Sequence, residues 1–532
     1  MRPGTPRPIP ASDPATSAMP GPESAFAPAP DPTGRSARGG AISLAAQAAK
    51  LFLGLASTVI LARLLVPGDF GLIAMVAPVV GFFGIFHDLG LTMATVQREH
   101  ITRAQVSALF WINVGVSAAL ALLVALLSPL VAAFYGDPRL EEVTLALGLF
   151  LFFSGASAQH FALLRRQMRF TRLAAIEPTA LAVGIAAAVL AALWGLDYWA
   201  LVVLSGAEAV TRLVMAWTLS GWWPSRPARG AGIRDMLAFG SHLTGANLVG
   251  HFVRNIDNVL MGRFWGETAL GLYNRAYTLS QLPVNHISQP VSGVVIPVLC
   301  RLRNDPEQYR RYFAMALGLS ASLSMPIIAF ALADAELFFA VMLGERWAAA
   351  VPIFLALGPA AFLGTTHIAT YWAFVSLGHT RRQLRWSLVT GATVTAAFVL
   401  GLPYGAVGMA LAYSAATLAL RVPGLAYCFH GTCLRVRDFF AALRLPTTAS
   451  LGAGAALIAL RAWLELPATG FAQLLLDGAF YGLAYGALYA AFPEGRSNLR
   501  LARNLAGGLF RRLTGRWAPP PAIPMDRPTR AG

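Results

Sequence analysis

The sequence predicts an all-α, polytopic membrane protein of about fourteen transmembrane helices, and three observations lead there. Apolar stretches long enough to cross a bilayer recur along most of the chain, charged residues fall mainly in the gaps between them, and arginines crowd every second gap. Of 532 residues, 56% are hydrophobic and 12% charged, with a mean hydropathy of +0.58. Chains that fold in water carry about 25% charged residues. The bilayer is therefore the simplest solvent for this one.

Stretches able to cover ~30 Å of hydrocarbon as helix fall at 41–62, 70–91, 106–134, 142–164, 173–194, 198–219, 236–261, 269–299, 312–333, 347–376, 386–402, 405–428, 447–464 and 472–492. The longest, at 106–134, 269–299 and 347–376, must tilt, kink or extend beyond the hydrocarbon, and Pro283, Pro290 and Pro359 favour kinks. Residues 1–40 are rich in Pro, Ala, Gly and Ser without an apolar core before a cleavage site, which reads as a disordered cytoplasmic tail and not a signal peptide. Residues 493–532 carry Arg496, Arg500, Arg503, Arg511, Arg512 and Arg516, a basic cytoplasmic tail suited to anionic lipid headgroups.

The basic residues are 40 arginines and one lysine, Lys50. Loops rich in Arg and Lys stay cytoplasmic, so their density should alternate with each crossing. The loops holding Arg98 and Arg103, Arg165 to Arg172, Arg226 to Arg234, Arg301 to Arg311, Arg381 to Arg385, and Arg435 to Arg444 carry 19 arginines. The intervening ones carry five: Arg63, Arg139, Arg263, Arg346 and Arg461. Both termini then lie on the cytoplasmic side. Cys300, Cys428 and Cys433 fall on the reducing side, cannot make a four-ligand zinc site, and read as free thiols.

Laid on itself at an offset of 200, the chain brings Leu61-Ala-Arg63 to Gly71-Leu72 onto Met261-Gly-Arg263 to Gly271-Leu272. Arg165-Arg-Gln-Met-Arg-Phe170 recurs as Arg381-Arg-Gln-Leu-Arg-Trp386, after the fourth span of each half. These coincidences predict two six-helix lobes, 41–220 and 236–430, related by a parallel internal repeat. Spans 447–492 are then an accessory helix pair, in which Gly482 and Gly486 read as a helix-packing notch.

A charge at mid-bilayer costs ~2.5–3.5 kcal/mol on insertion scales, so each needs a partner, a wet cavity or a function. In the seventh span Asn247, Gly250 with His251, Arg254, Asp257 with Asn258, and Met261 share one helix face. The equivalent face of the first span holds Ser43, Gln47, Lys50, Gly54 and Ser57. Two polar faces turned to one cleft make Gln47, Lys50, Asn247, Arg254, Asp257, Tyr273 and Arg275 the candidate substrate-binding residues. An arginine fork suits phosphate, and Lys50 adds a point charge. An ion pair between Arg254 and Asp257 is the simpler alternative. Asp88 and Asp257 are the candidate sites for a coupling ion, proton or sodium. Glu177, Glu208 with Arg212, His87 and Arg421 read as paired or snorkelling residues.

Leu61-Ala-Arg-Leu-Leu-Val-Pro-Gly-Asp-Phe-Gly71, Asp88-Leu-Gly90, Asn255-Ile-Asp257 and Leu270-Gly-Leu-Tyr273-Asn-Arg-Ala276 resemble the signature stretches of bacterial polysaccharide exporters and lipid-linked oligosaccharide flippases, across roughly residues 41–430. That resemblance implies the fold of the multidrug, oligosaccharidyl-lipid and polysaccharide exporter superfamily: two six-helix lobes working by alternating access. It also implies cargo carried on a polyprenyl pyrophosphate for surface polysaccharide biosynthesis, with basic residues of the cleft meeting the pyrophosphate. The expected partners are the lipid-linked saccharide, membrane lipids and the polysaccharide polymerase machinery, with no nucleic acid, cofactor or metal. Lys50 is followed by Leu51, so no Walker A motif exists, which argues against ATP hydrolysis within the chain. A membrane-embedded polymerase or glycosyltransferase needs acids and bases held over the bilayer, and the outer loops here are short. A drug/ion antiporter of the same architecture would favour an acidic and aromatic cleft instead of a basic one.

Overall fold

A computed structural model describes residues 32–500 apart from breaks at 89, 99–100, 227–233, 284–285, 288, 465–469 and 498–499. The expected terminal tails lie largely outside the described residues. All regular structure among those described is helical. They form two compact units, one reaching Leu64 and resuming at Val76–Asn255, the other containing Leu65–Met75 and everything from Ile256.

The first unit holds α1 (Pro32–Leu64), most of α2 (Pro67–Gly84), α3 (Leu91–Gln97), α4 (Arg103–Tyr135), α5 (Arg139–Arg166), α6 (Phe170–Leu193), α7 (Trp199–Ser220) and the start of α8 (Arg234–Pro283). Inside it α4 packs along α5, α6 along α7, and α1 along α6. The 33 residues of α4 rise about 50 Å at 1.5 Å each, so this helix outruns the hydrocarbon layer. Its ends are set locally. Thr102 and Gln105 make a reciprocal capping box, and Gly136 closes the last turn at a φ of 77°.

The second unit holds the rest of α8, α9 (Gln289–Arg301), α10 (Pro306–Ala333), α11 (Ala335–Met342), a 3-10 turn (Glu345–Ala350), α12 (Val351–Gly364), α13 (Ile368–Ser376), α14 (Thr380–Gly401), α15 (Gly405–Phe429), α16 (Val436–Leu464) and α17 (Phe471–Ala491). Here α10 packs on α16, α14 and α12 on α15, and α16 on α17.

Eleven helical segments among the described residues are long and apolar enough to cross a membrane. One of them, Thr380–Phe429, contains α14 and α15. The seventh and eighth expected spans fall on α8 and α9, where arginines and carboxylates from Arg234 to Arg275 dilute the apolar character. The described helices are consistent with the fourteen expected stretches, and the chain is a multi-pass membrane protein. Breaks differ in detail from the proline-based expectation. The kink in α8 is at Gly266, and the 347–376 stretch breaks at 365–367 while Pro359 stays inside α12.

Polarity is arranged for lipid. On α4, Leu122, Leu126 and Leu130 are bare to more than 60%, whereas Asn113, Ser117 and Ser128 are buried. Trp194, Trp463 and Tyr404 project from helix ends, where amphipathic rings suit the headgroup level. Gly482 and Gly486 do not form the expected notch: an added Cβ at either would meet nothing within 4 Å. All three cysteines are free.

A close backbone approach in the second unit joins two of the signature stretches. A Cβ on Gly71 would sit 1.8 Å from the Glu267 carbonyl oxygen, and one on Gly271 would sit 1.8 Å from that of Pro67. Gly71 pairs with Gly271 and Pro67 with Glu267 at the same 200-residue offset, so the crossing has the symmetry of a two-fold pair. The Asp69 carboxylate accepts from the Val66 amide at 3.0 Å and fixes the turn entering α2. Phe70 then packs edge-on to Trp347 at 5.4 Å.

The accessory pair is tied down by a buried charge cluster. Arg461 on α16 donates from Nη2 to Asp477 of α17 at 2.6 Å, and its Nη1 lies 2.8 Å from Asp334 after α10, close but not aligned as a hydrogen bond. Two carboxylates share one cation. Burial pushes the Asp334 carboxyl up to about 6, with Arg461 opposing that rise and Asp477 adding to it.

Two outcomes are expected. Gly71→Ala and Gly271→Ala should each cost at least the ~1–3 kcal/mol of overpacking, seen as lost monodisperse protein after detergent extraction, while Gly482→Ala is neutral. For Asp334, the folded carboxyl holds its proton to about pH 6, whereas the unfolded one releases it near ~3.9. The folded state binds more protons in that window, so this group's contribution to stability falls as pH rises through it and is level above. Asp334→Asn should flatten that slope in thermal unfolding curves taken from pH 4 to 7.

Candidate functional site

In the first unit, three helices bring four charges together. Lys50 of α1 donates to Glu177 of α6 at 3.0 Å. On α7, Arg212 Nε lies 3.3 Å from Glu177 and Nη2 donates to Glu208 at 2.8 Å, one helical turn away. Gly184 makes room for this, because a Cβ there would lie 2.7 Å from the Glu208 side chain. The cluster is formally neutral, and Lys50 and Glu177 keep about two-fifths of their side-chain surface bare. A neutral, half-open cluster is far cheaper in a membrane protein than four isolated charges.

The expected stripe on α8 divides. The His251 Nε2 lies 2.8 Å from the Pro78 carbonyl oxygen, and Gly81 leaves space for the ring. Arg254 is exposed, its guanidinium lying back over Gly250, where a Cβ would come within 2.9 Å of Nη1. The side chain of Asn247 lies outside those described, and Gln47 is exposed on α1. Asp88 accepts from the Thr92 amide at 3.0 Å, a capping role at the start of α3.

In the second unit, Asp257 is 5% exposed and accepts from the Tyr273 hydroxyl at 3.3 Å and the Asn258 amide at 2.9 Å. Tyr273 stacks on Tyr277, which meets Tyr413 of α15 edge-on, so a file of tyrosines runs from the carboxylate to α15. Arg275 stands with its guanidinium 4.0 Å above the Phe70 ring. That cation–π contact places it in the signature crossing.

Sequence reasoning brought Lys50 and Arg254 forward but ranked Glu177, Glu208 and Arg212 low. The signal was available: an acid and a base one turn apart on α7, and a lone glutamate in an apolar stretch of α6. What was missing was the packing of α1 on α6. No group of three or more His, Cys, Asp or Glu suited to hold a metal occurs among the described residues.

An all-helical multi-pass protein with compensated charges inside its helical units is the class this structure defines. The chain belongs to the polysaccharide biosynthesis protein family, whose sequence profile matches residues 60–352, more than half its length. It is 27% identical over 334 residues to the teichuronic acid biosynthesis protein TuaB of Bacillus subtilis (strain 168), covering 60% of this chain and 69% of that protein. It is 23% identical over 307 residues to the lipopolysaccharide biosynthesis protein WzxC of Escherichia coli (strain K12), covering 57% and 62%. With the succinoglycan biosynthesis transport protein ExoT of Rhizobium meliloti (strain 1021) the identity is 25% over 344 residues, covering 64% and 69%. The WzxC match thus spans less than two thirds of that relative. Among solved structures, the lipid II flippase MurJ in an inward closed conformation superposes with a TM-score of 0.67 at 14% identity, covering 85% of this chain and 98% of MurJ. An inward-facing multidrug resistance transporter of the MATE family superposes at 0.55 and 12% identity, covering 76% and 98%. These two define the fold.

If Lys50 only balances Glu177, then Lys50→Ala should lower the yield of folded protein and adding Glu177→Gln should restore both yield and export. If Lys50 also meets cargo, the double variant folds but exports poorly. Fluorescence-detected size exclusion beside a surface-polysaccharide assay separates these outcomes.

Proposed function

We propose that this protein carries a lipid-linked oligosaccharide or polysaccharide, borne on a polyprenyl pyrophosphate, from the cytoplasmic to the periplasmic face of a bacterial inner membrane for surface polysaccharide biosynthesis. Family membership together with the MurJ-like fold is the observation that carries this reading. The alternation of arginine-rich loops supports cytoplasmic termini.

The substrate groups are Arg254, which is exposed, with Lys50 and Gln47 on α1 and Asn247 on α8. Arg275 acts indirectly by holding Phe70. Asp257 beside the Tyr273 hydroxyl is the better candidate for a coupling proton or sodium ion because it is a buried carboxylate, 5% exposed, with no cation paired to it among the described residues, whereas Asp88 serves the turn into α3. The chain works as a transporter and not an enzyme, in two six-helix lobes by alternating access, beside the machinery that polymerises its cargo.

Deleting the gene should leave polyprenyl-linked saccharide shielded from a membrane-impermeant probe on the outer face, with surface polysaccharide lost. Wild-type protein should restore export. Arg254→Ala should restore less than about a tenth of it while reaching the membrane in normal amount. Intermediates exposed on the outer face would sink the reading in favour of a polymerase, and unchanged lipid pools would favour a drug/ion antiporter.

A further inference from the structure

The second unit contains a cavity of about 230 Å³ that the proposed transport does not yet use. It lies among the end of α8, α12, α13, α14 and α15, and Arg421, His367, Trp386, Tyr413, Gln281 and Thr417 line it. Arg421 is only 7% exposed. Its Nη2 donates to the Leu363 carbonyl oxygen at 2.9 Å, and its Nε has no partner. No carboxylate pairs with it among the described residues.

An arginine cannot escape such a position by losing its proton. Burying an ion without a counter-charge costs several kcal/mol, and one carbonyl offsets a fraction of that. Other arginines inside the helical units are met differently: Arg166 donates to the Thr95 and Arg98 carbonyls, Arg275 lies on Phe70 although its Nε also has no partner, and Arg461 faces two acids. Arg421 instead faces a cavity. Trp386 gives the cavity an aromatic wall beside α15, admitted there because Gly424 has no Cβ to meet its ring at 2.8 Å.

We infer that this cavity is an oxyanion-binding site that takes one carboxylate- or phosphate-bearing sugar residue, with Arg421 as its anchor and Trp386 against the sugar ring. The inference rests on the reading of the cargo as a saccharide. A guanidinium fork matches either oxyanion with two parallel hydrogen bonds, and His367 supplies a further polar group. The volume is below the ~300–1,000 Å³ of pockets for drug-sized ligands, which suits a single residue and not a repeat unit.

The test uses the purified full-length protein in detergent, with sodium glucuronate, sodium phosphate and glucose at matched ionic strength, read by thermal unfolding and titration calorimetry. Glucuronate or phosphate should raise the unfolding midpoint of the wild type by several degrees and glucose should not. Stabilisation by glucuronate alone assigns a sugar acid, and by phosphate alone a phosphate ester. Arg421→Gln should abolish the shift. Arg421→Lys, which keeps the charge but loses the fork, should weaken binding by about tenfold, and it serves if the glutamine variant does not fold. A wild type indifferent to both anions, or an Arg421→Gln protein that responds equally, overturns the inference. Neither result bears on the export assay, so failure here is distinct from failure of the transport reading.

Discussion

The backbone crossing of Gly71 and Gly271 is the constraint on which the second unit is built. Two carbonyls, of Pro67 and Glu267, occupy the space where side chains would stand. Around that contact the neighbouring residues have fixed tasks: Asp69 closes the turn, Phe70 reaches Trp347, and Arg275 lies on Phe70. In lipid there is little hydrophobic force between helices, and close backbone approach through small residues supplies van der Waals contact instead. A crossing this close leaves no room for gradual adjustment.

Much of this was legible beforehand. The spans could be counted because apolar length and arginine placement are separate signals that had to agree. The crossing was visible as a repeat at an offset of 200, though its geometry was not, since a repeat does not say whether its copies touch. Arg275 was legible as a cation near a polar stripe, but sequence does not show the ring beneath it. Glu177 was undervalued for the reverse reason: its partners Lys50 and Arg212 lie on helices 127 and 35 residues away, and only packing brings them within reach. The notch assigned to Gly482 and Gly486 failed because small residues permit close approach without requiring it.

Arginine chemistry connects these observations. With 40 arginines and one lysine, the chain relies on a cation whose charge burial cannot remove. Each one inside the helical units therefore needs a counterpart, and its kind reveals its task. Arg166 has carbonyl acceptors, Arg275 has a ring, and Arg212 and Arg461 have carboxylates, all supplied by the fold. Such arginines position helices and have little left to offer a ligand.

Arg254 and Arg421 are different. Arg254 is exposed on a helix whose neighbouring polar groups are already engaged, and Arg421 is buried beside empty volume with one carbonyl for company. Water can solvate the first, so its exposure costs little and leaves it available. The second donates to one carbonyl and faces a cavity whose lining holds no carboxylate, so its fork still calls for a polar partner. Water answers part of that need, but water carries no charge. An oxyanion answers it fully, and a saccharide transporter encounters such groups on its cargo.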